Sequence, residues 1–322
     1  MVNYDTLNRV VAVATGKGGT GKTSLTANAA GLMAAAGHRV LVIDLDPQGD
    51  ISDDLGYFDD ERADDGRHLA TAMQTGAPLA PVLTDVRPNL DVVTGGSALT
   101  DISGVLLARQ SRGKVDFDLL ATCLEPIADN YDLILIDTPP NDDLSQLLAL
   151  TAARYLLIPT KADPASIRAI RRIAERVAEA RAGGRDIDIL GVVLVGVPTA
   201  AKRVRGNAEE MIVGMLGQIA PLFEGGIRDS SAVAQETRIK GVLAHELAEQ
   251  VDGAEPFWAA LRKKAEAAKG AIPGLGAFDT EDAVKPTRIV KSAPALASDY
   301  IAITEQVMRR ISELENTGEG AA

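Results

Sequence analysis

The densest chemistry in the chain lies at residues 10–24, VVAVATGKGGTGKTS, where two lysines, Lys17 and Lys22, bracket a run of glycines. Glycines let the backbone turn so that successive N–H groups point inward, the arrangement that cradles phosphate oxygens. A β-branched run precedes the stretch and an alanine-rich one follows it. The loop therefore reads as a strand-to-helix junction, with the positive end of a helix added to its amides. In that context Gly16 to Thr23, GKGGTGKT, is a full phosphate-loop pattern. Its expected parts are the backbone of Gly18, Gly19, Thr20 and Gly21 around the phosphates, and Lys22 on the β- and γ-phosphates. The Thr23 hydroxyl is expected on Mg²⁺, with Ser24 beside it. A glycine-rich turn that binds nothing is the plainer alternative. The minimal pattern has no place for Lys17.

Positioning such a loop takes a particular set of elements, and the rest of the chain supplies them. Apolar, β-branched runs occur at 9–15, 39–46, 89–95, 131–137, 154–160 and 188–197. Several are apolar without alternation, the pattern of parallel strands buried on both faces. Helical stretches are expected at 22–36, 98–109, 115–128, 143–152, 164–182 and 297–315. The alternation predicts an α/β fold, a doubly wound and mostly parallel sheet with ligands at the carboxyl ends of its strands. One domain is expected over 1–322, with an insertion at 251–295 behind a Lys/Arg-rich helix near 256–269. The tail, 316–322, reads as disordered by composition. Residues 44–65 hold ten acids and one base and read as a solvated loop.

Composition narrows the function. The 322 residues carry a formal net charge of −12, so any nucleic-acid contact needs a local basic patch. The single cysteine, Cys123, excludes an internal disulfide framework and suits a reducing cytosol. No long apolar run or leader-like start points to a membrane or to export. Aromatic residues make up only 3% of the chain, leaving few platforms for stacking single-stranded bases.

Three segments together resemble the ParA/MinD superfamily of ATPases. KGGTGKT matches its deviant Walker motif, VLVIDLDPQGD its D-x-D-P-Q-G strand end, and LILIDTPPN its Walker B strand. The resemblance implies ATP and Mg²⁺ as cofactors and a homodimer with ATP sandwiched between subunits. It implies that Lys17 crosses to the partner's γ-phosphate, Asp46 orients or activates the attacking water, and Asp44 supports the Mg²⁺ shell. Asp137 would hold Mg²⁺, and Pro198 joins the expected nucleotide-contacting set. A strand-end aspartate alone is often only a helix cap. Three motifs in this order argue for more.

The match to ParA-type partition ATPases runs over roughly 9–244 and 297–312. It implies weak, partner-stimulated ATP hydrolysis, non-specific double-stranded DNA binding, a ParB-like centromere-binding partner, no membrane, and a cytoplasmic, nucleoid-associated location. Candidate DNA contacts are Lys202, Arg203 and Arg205 in PTAAKRVRG, with Arg228, Arg238 and Lys240. Arg262, Lys263 and Lys264 are a weaker cluster. Arg168, Arg172 and Arg176 read as a solvated stripe flanked by Glu175 and Glu179. Ile227 stands where the family usually has proline before the arginine. A MinD-like or protein-cargo positioner remains an alternative, although 297–315 ends in acids rather than a basic amphipathic stretch. A P-loop small-molecule ligase is the other. One cysteine cannot supply a subunit-bridging iron–sulfur cluster, and the tail has no tyrosine for a tyrosine kinase.

Overall fold

The computed structural model describes residues 2–100, 102, 104, 117–197, 202–216, 220–252 and 292–319. All six expected runs form strands: β1 (Val10–Val13), β2 (Val40–Asp44), β4 (Leu90–Val93), β5 (Leu133–Asp137), β6 (Tyr155–Lys161) and β7 (Asp188–Val197). Two more, β3 (Leu83–Arg87) and β8 (Ile227–Arg228), complete an eight-stranded sheet in the order β3-β4-β2-β5-β1-β6-β7-β8. Every pairing is parallel except β3 with β4.

The central strands are buried on both faces because their apolar residues serve two cores. Val10 and Ala12 of β1, Leu41 and Ile43 of β2, and Ile134 and Ile136 of β5 point into one core. It is closed by α3 (Arg67–Thr75), α4 (Leu119–Ala128), α5 (Asp143–Ala152) and α6 (Pro164–Ala182), with α7 (Lys202–Leu216) at its margin. Val11 and Val13, Val40 and Val42, and Leu133 and Leu135 point to the opposite side. There they meet α1 (Lys22–Ala35), α2 (Ile51–Leu55), α8 (Ser231–Lys240), α9 (Ala244–Asp252) and α10 (Ala293–Glu319). This period-2 split follows from the pleat.

Three expectations need correction. The acidic 44–65 stretch is not a solvated loop: it contains α2, and Asp44, Asp46, Asp54, Ile51, Leu55 and Tyr57 are buried. Its charge count hides apolar anchors and carboxylates turned inward. Arg176 leaves the solvated stripe of α6. Helical spacing sets it beside Ile173 and Val177, and its guanidinium is buried against Gln146 and Asp143. The last helix continues through 316–319, where weak helix formers extend a helix that is already nucleated.

Most of the expected helix 98–109 lies outside the described residues, which keep a 3₁₀ turn at Ser97–Leu99. The Lys/Arg-rich helix near 256–269, with Arg262, Lys263 and Lys264, and most of the 251–295 insertion also lie outside them.

Candidate nucleotide site

β1, β5 and β2 stand side by side and end level, with Val13 paired to Asp137 and Asp44 paired to Asp137. The glycine loop leaves the carboxyl end of β1 and feeds α1, so it lies above both aspartates. Gly21 caps α1 with φ +71°, and a Cβ there would come 2.8 Å from Val195 Cγ1. Glycine alone meets both demands.

The loop's helix brings Lys22 and Thr23 onto the β5 aspartate. Lys22 Nζ donates to Asp137 Oδ1 at 2.8 Å, and the Thr23 hydroxyl donates to Asp137 Oδ2 at 2.8 Å. Thr26, one turn further along α1, donates to Lys22 O at 3.0 Å and reaches Asp137 Oδ1 at 3.2 Å. The Lys22–Asp137 pair is almost fully buried, with side chains 5% and 1% exposed. Such a pair persists because its bonds offset the desolvation of both charges.

Asp44 and Asp46 line the adjoining strand end. Asp44 Oδ1 accepts from Asp46 N at 2.9 Å, and Asp46 Oδ1 accepts from Gln48 N at 3.0 Å. Asp44 Oδ2 is buried without a hydrogen-bond partner, as is the Thr20 hydroxyl in the loop. Burial, then the neighbouring Asp137 carboxylate, pushes the Asp44 carboxyl well above the usual range. Burial also raises Asp46. Gly95, just past β4, closes over both: a Cβ there would lie 2.6 Å from the Asp44 carboxyl carbon and 2.7 Å from Asp46 O.

Hard carboxylate and hydroxyl oxygens suit Mg²⁺, and a helix N-terminus with a buried lysine suits phosphate. No cluster of three or more His, Cys, Asp or Glu residues able to hold a metal occurs among the described residues.

Lys17 lies apart from this cluster. Its ammonium pairs with Asp163 at 3.1 Å, and the two side chains are 43% and 40% exposed. The Ser24 hydroxyl donates to the Asp54 carboxylate, at 3.2 Å from Oδ2. Pro198 lies outside the described residues. Of the candidate DNA contacts, Lys202 and Arg203 open α7. Each of the other four is held by a carboxylate of the same chain. Arg205 pairs with Glu209 at 2.6 Å, Lys240 with Glu236 at 2.8 Å and Arg238 with Asp54 at 3.4 Å. Asp299 of α10 takes Arg228 in a two-pronged bond of 2.6 and 2.8 Å, which fastens β8 to that helix.

Sequence reasoning passed over Gln146 and Asp54. Gln146 Nε2 donates to Thr15 O at 3.1 Å and Pro139 O at 2.9 Å, tying the loop's root to the segment after β5. No local pattern marks it. Asp54 is hidden in the acidic run, and burial raises its pKa to about 6 despite Arg238 and the Ser24 hydroxyl. A raised carboxyl binds its proton more tightly in the folded state. Its contribution is complete below the unfolded pKa near 3.8 and is lost as pH rises to about 6. That loss is about 3 kcal/mol. Asp54→Asn should remove this slope from urea-unfolding free energies measured between pH 4.5 and 7, read as the difference from wild type.

A glycine loop on the central strand of a parallel sheet, with its lysine against the aspartate of the next strand, defines the P-loop NTPase class. A protein-family profile described as AAA domain (AAA_31) matches residues 8–187, and the chain belongs to that family, within the ParA-type partition ATPases. It is 36% identical over 162 residues to the cell division protein PomZ of Myxococcus xanthus, covering 50% of this chain and 49% of that protein. It is 33% identical over 191 residues to the chromosome partitioning protein ParA of Caulobacter vibrioides, covering 58% of this chain and 68% of that one. The chain thus spans about half the length of PomZ.

Among solved structures, apo McdA of Cyanothece superposes with a TM-score of 0.62 at 23% identity, over 80% of this chain and 99% of that one. A plasmid partition protein of Borrelia burgdorferi bound to AMPPNP superposes with a TM-score of 0.62 at 17% identity, over 95% and 98%. These two likenesses concern the fold. No helix among the described residues is long and apolar enough to cross a membrane.

Proposed function

We propose that this chain is an ATP-driven dimerising switch, which binds double-stranded DNA without sequence preference and positions a DNA cargo with a ParB-like partner. The observation that carries the reading is the contrast between the two loop lysines. Lys22 is 5% exposed and committed to Asp137, whereas Lys17 is 43% exposed at the loop's entrance. A buried lysine suits phosphates bound within its own chain. An exposed one suits phosphates presented by another.

In this reading Lys22, Thr23 and the amides of Gly18 to Gly21 hold ATP, with Asp137 and Asp44 around Mg²⁺. The cation brings charge neutralisation to the phosphates. Binding would draw Lys22 and Thr23 from Asp137 toward the nucleotide, a local exchange that can reset the segments after β2 and β5. Asp46, fixed through Gln48 N, would orient the attacking water.

DNA contact would fall to Lys202, Arg203, Arg205, Arg238 and Lys240. The pair of Arg205 with Glu209 is an exchangeable surface contact within α7, whereas the Lys240 ammonium is buried against Glu236 and would have to swing out. Arg228 is the least available, being held at two points by Asp299. A cytoplasmic, nucleoid-associated location follows from DNA binding. The alternative of a protein cargo keeps the same switch and changes only what rides on it.

Asp46→Ala tests the hydrolytic part. Phosphate release should fall at least about tenfold, since positioning groups of this kind contribute factors of that order or more. Titration with a non-hydrolysable ATP analogue should show affinity within about threefold of wild type, because Asp46 is tied to Gln48 N and meets Lys22 only through space. Wild-type turnover in the variant would remove Asp46 from the reaction.

A further inference from the structure

The carboxyl end of β6 lies beside the glycine loop, because β6 is the neighbour of β1 in the sheet. There Asp163 follows β6, whose last residue is Lys161, and caps α6. Its Oδ1 accepts from Ala165 N and Ser166 N, both at 3.0 Å, and its Oδ2 takes the Ser166 hydroxyl. Those bonds fix the carboxylate in place, and the Ser166 hydroxyl and amide, with Lys17 beside them, hold its pKa down to about 2, so it is charged at any working pH. Capping alone needs only an acceptor oxygen, which serine or asparagine supplies as well. The charge does something more: it draws Lys17 Nζ to 3.1 Å from a residue 146 positions further along the chain.

We propose that Asp163 is a latch for Lys17, an internal stand-in for the phosphate that this lysine meets in a second copy of the chain, and that it sets the threshold for nucleotide-driven dimerisation. The inference rests on the dimer reading of Lys17 given above. A phosphate from the facing copy must displace the Asp163 carboxylate and tolerate its negative charge nearby. Each copy must therefore release its own lysine before the seam can close. The latch is weak by construction. Both side chains are about two-fifths exposed, and pairs of this kind are worth up to about a fivefold shift in an equilibrium. A cost of about threefold at each of two lysines becomes about tenfold in the dimer dissociation constant. That is enough to hold the chain monomeric at low concentration without preventing assembly.

The test removes the charge and keeps the cap. Asp163→Asn and Asp163→Ser should both tighten dimers of the full chain, formed with a non-hydrolysable ATP analogue, by about tenfold in sedimentation velocity. Melting temperatures should stay close to wild type, because the cap is retained. Adding Lys17→Ala should abolish the gain, leaving the double variant equal to Lys17→Ala alone. Nucleotide-dependent wild-type dimers that are unchanged or weakened by both Asp163 variants would overturn the latch alone. Wild type that stays monomeric with the analogue would overturn the dimer reading and the latch together.

Discussion

Lys22→Ala is expected to lower affinity for a non-hydrolysable ATP analogue at least about a hundredfold, since a desolvated lysine on phosphate is worth several kcal/mol. It should also destabilise the ligand-free protein. Lys22 is the cation that Asp137 holds at 2.8 Å, and Asp44 sits directly across the strand pair with one oxygen unpartnered. Removing the lysine leaves two buried carboxylates facing each other, a cost of about 3–5 kcal/mol. Loss of binding in the single variant could then be loss of fold. The double variant Lys22→Ala/Asp137→Asn separates the two effects. Replacing both partners removes the stranded charge, so the melting temperature should return toward wild type. Nucleotide affinity should remain lost. Calorimetric titration beside thermal unfolding gives both readouts. A Lys22→Ala protein that binds the analogue as wild type does would take Lys22 out of the phosphate site.

How the sequence conveyed this site depends on what each residue is used for. The central strands were legible because segments such as the LILI of β5 run apolar without alternation up to the site aspartate, which only burial on both faces requires. β3 was not, because LTDVR at the sheet's antiparallel edge exposes its middle residues and offers no apolar run. β8 has only two residues, too few for any periodicity. The phosphate loop was legible because its glycines serve backbone geometry, which is local in sequence. Asp54 and Arg176 were misread because a charged residue is judged exposed by default. Each is buried only because a cation, hydroxyl or amide distant in sequence meets it: Ser24 and Arg238 for Asp54, and Gln146 for Arg176. The Asp163–Pro164 step is recognisable as a helix start, yet nothing near it announces Lys17. Local chemistry can be read along the chain, whereas partners brought together by crossover connections need the fold.

Lys17→Ala should give the opposite profile to Lys22→Ala, although the residue type and the loop are the same. Its pair with Asp163 is exposed on both sides, so stability should change by less than about 1 kcal/mol. Monomeric nucleotide binding should largely survive, because the amides, Lys22 and Thr23 remain. What should disappear is the ATP-dependent dimer, since two facing nucleotides concentrate negative charge at the seam with no lysine to neutralise it. DNA binding should be lost with it. One chain offers half the basic surface and carries a net charge of −12, which repels phosphate at long range. Wild type should therefore shift plasmid DNA in a mobility gel with ATP and not with ADP. The shift should weaken steeply as salt rises, because phosphate contacts release counterions. A wild-type shift indifferent to nucleotide would sink the switch. Normal ATP-dependent dimers of Lys17→Ala would leave Lys17 an ordinary surface lysine, with Asp163 its ordinary partner.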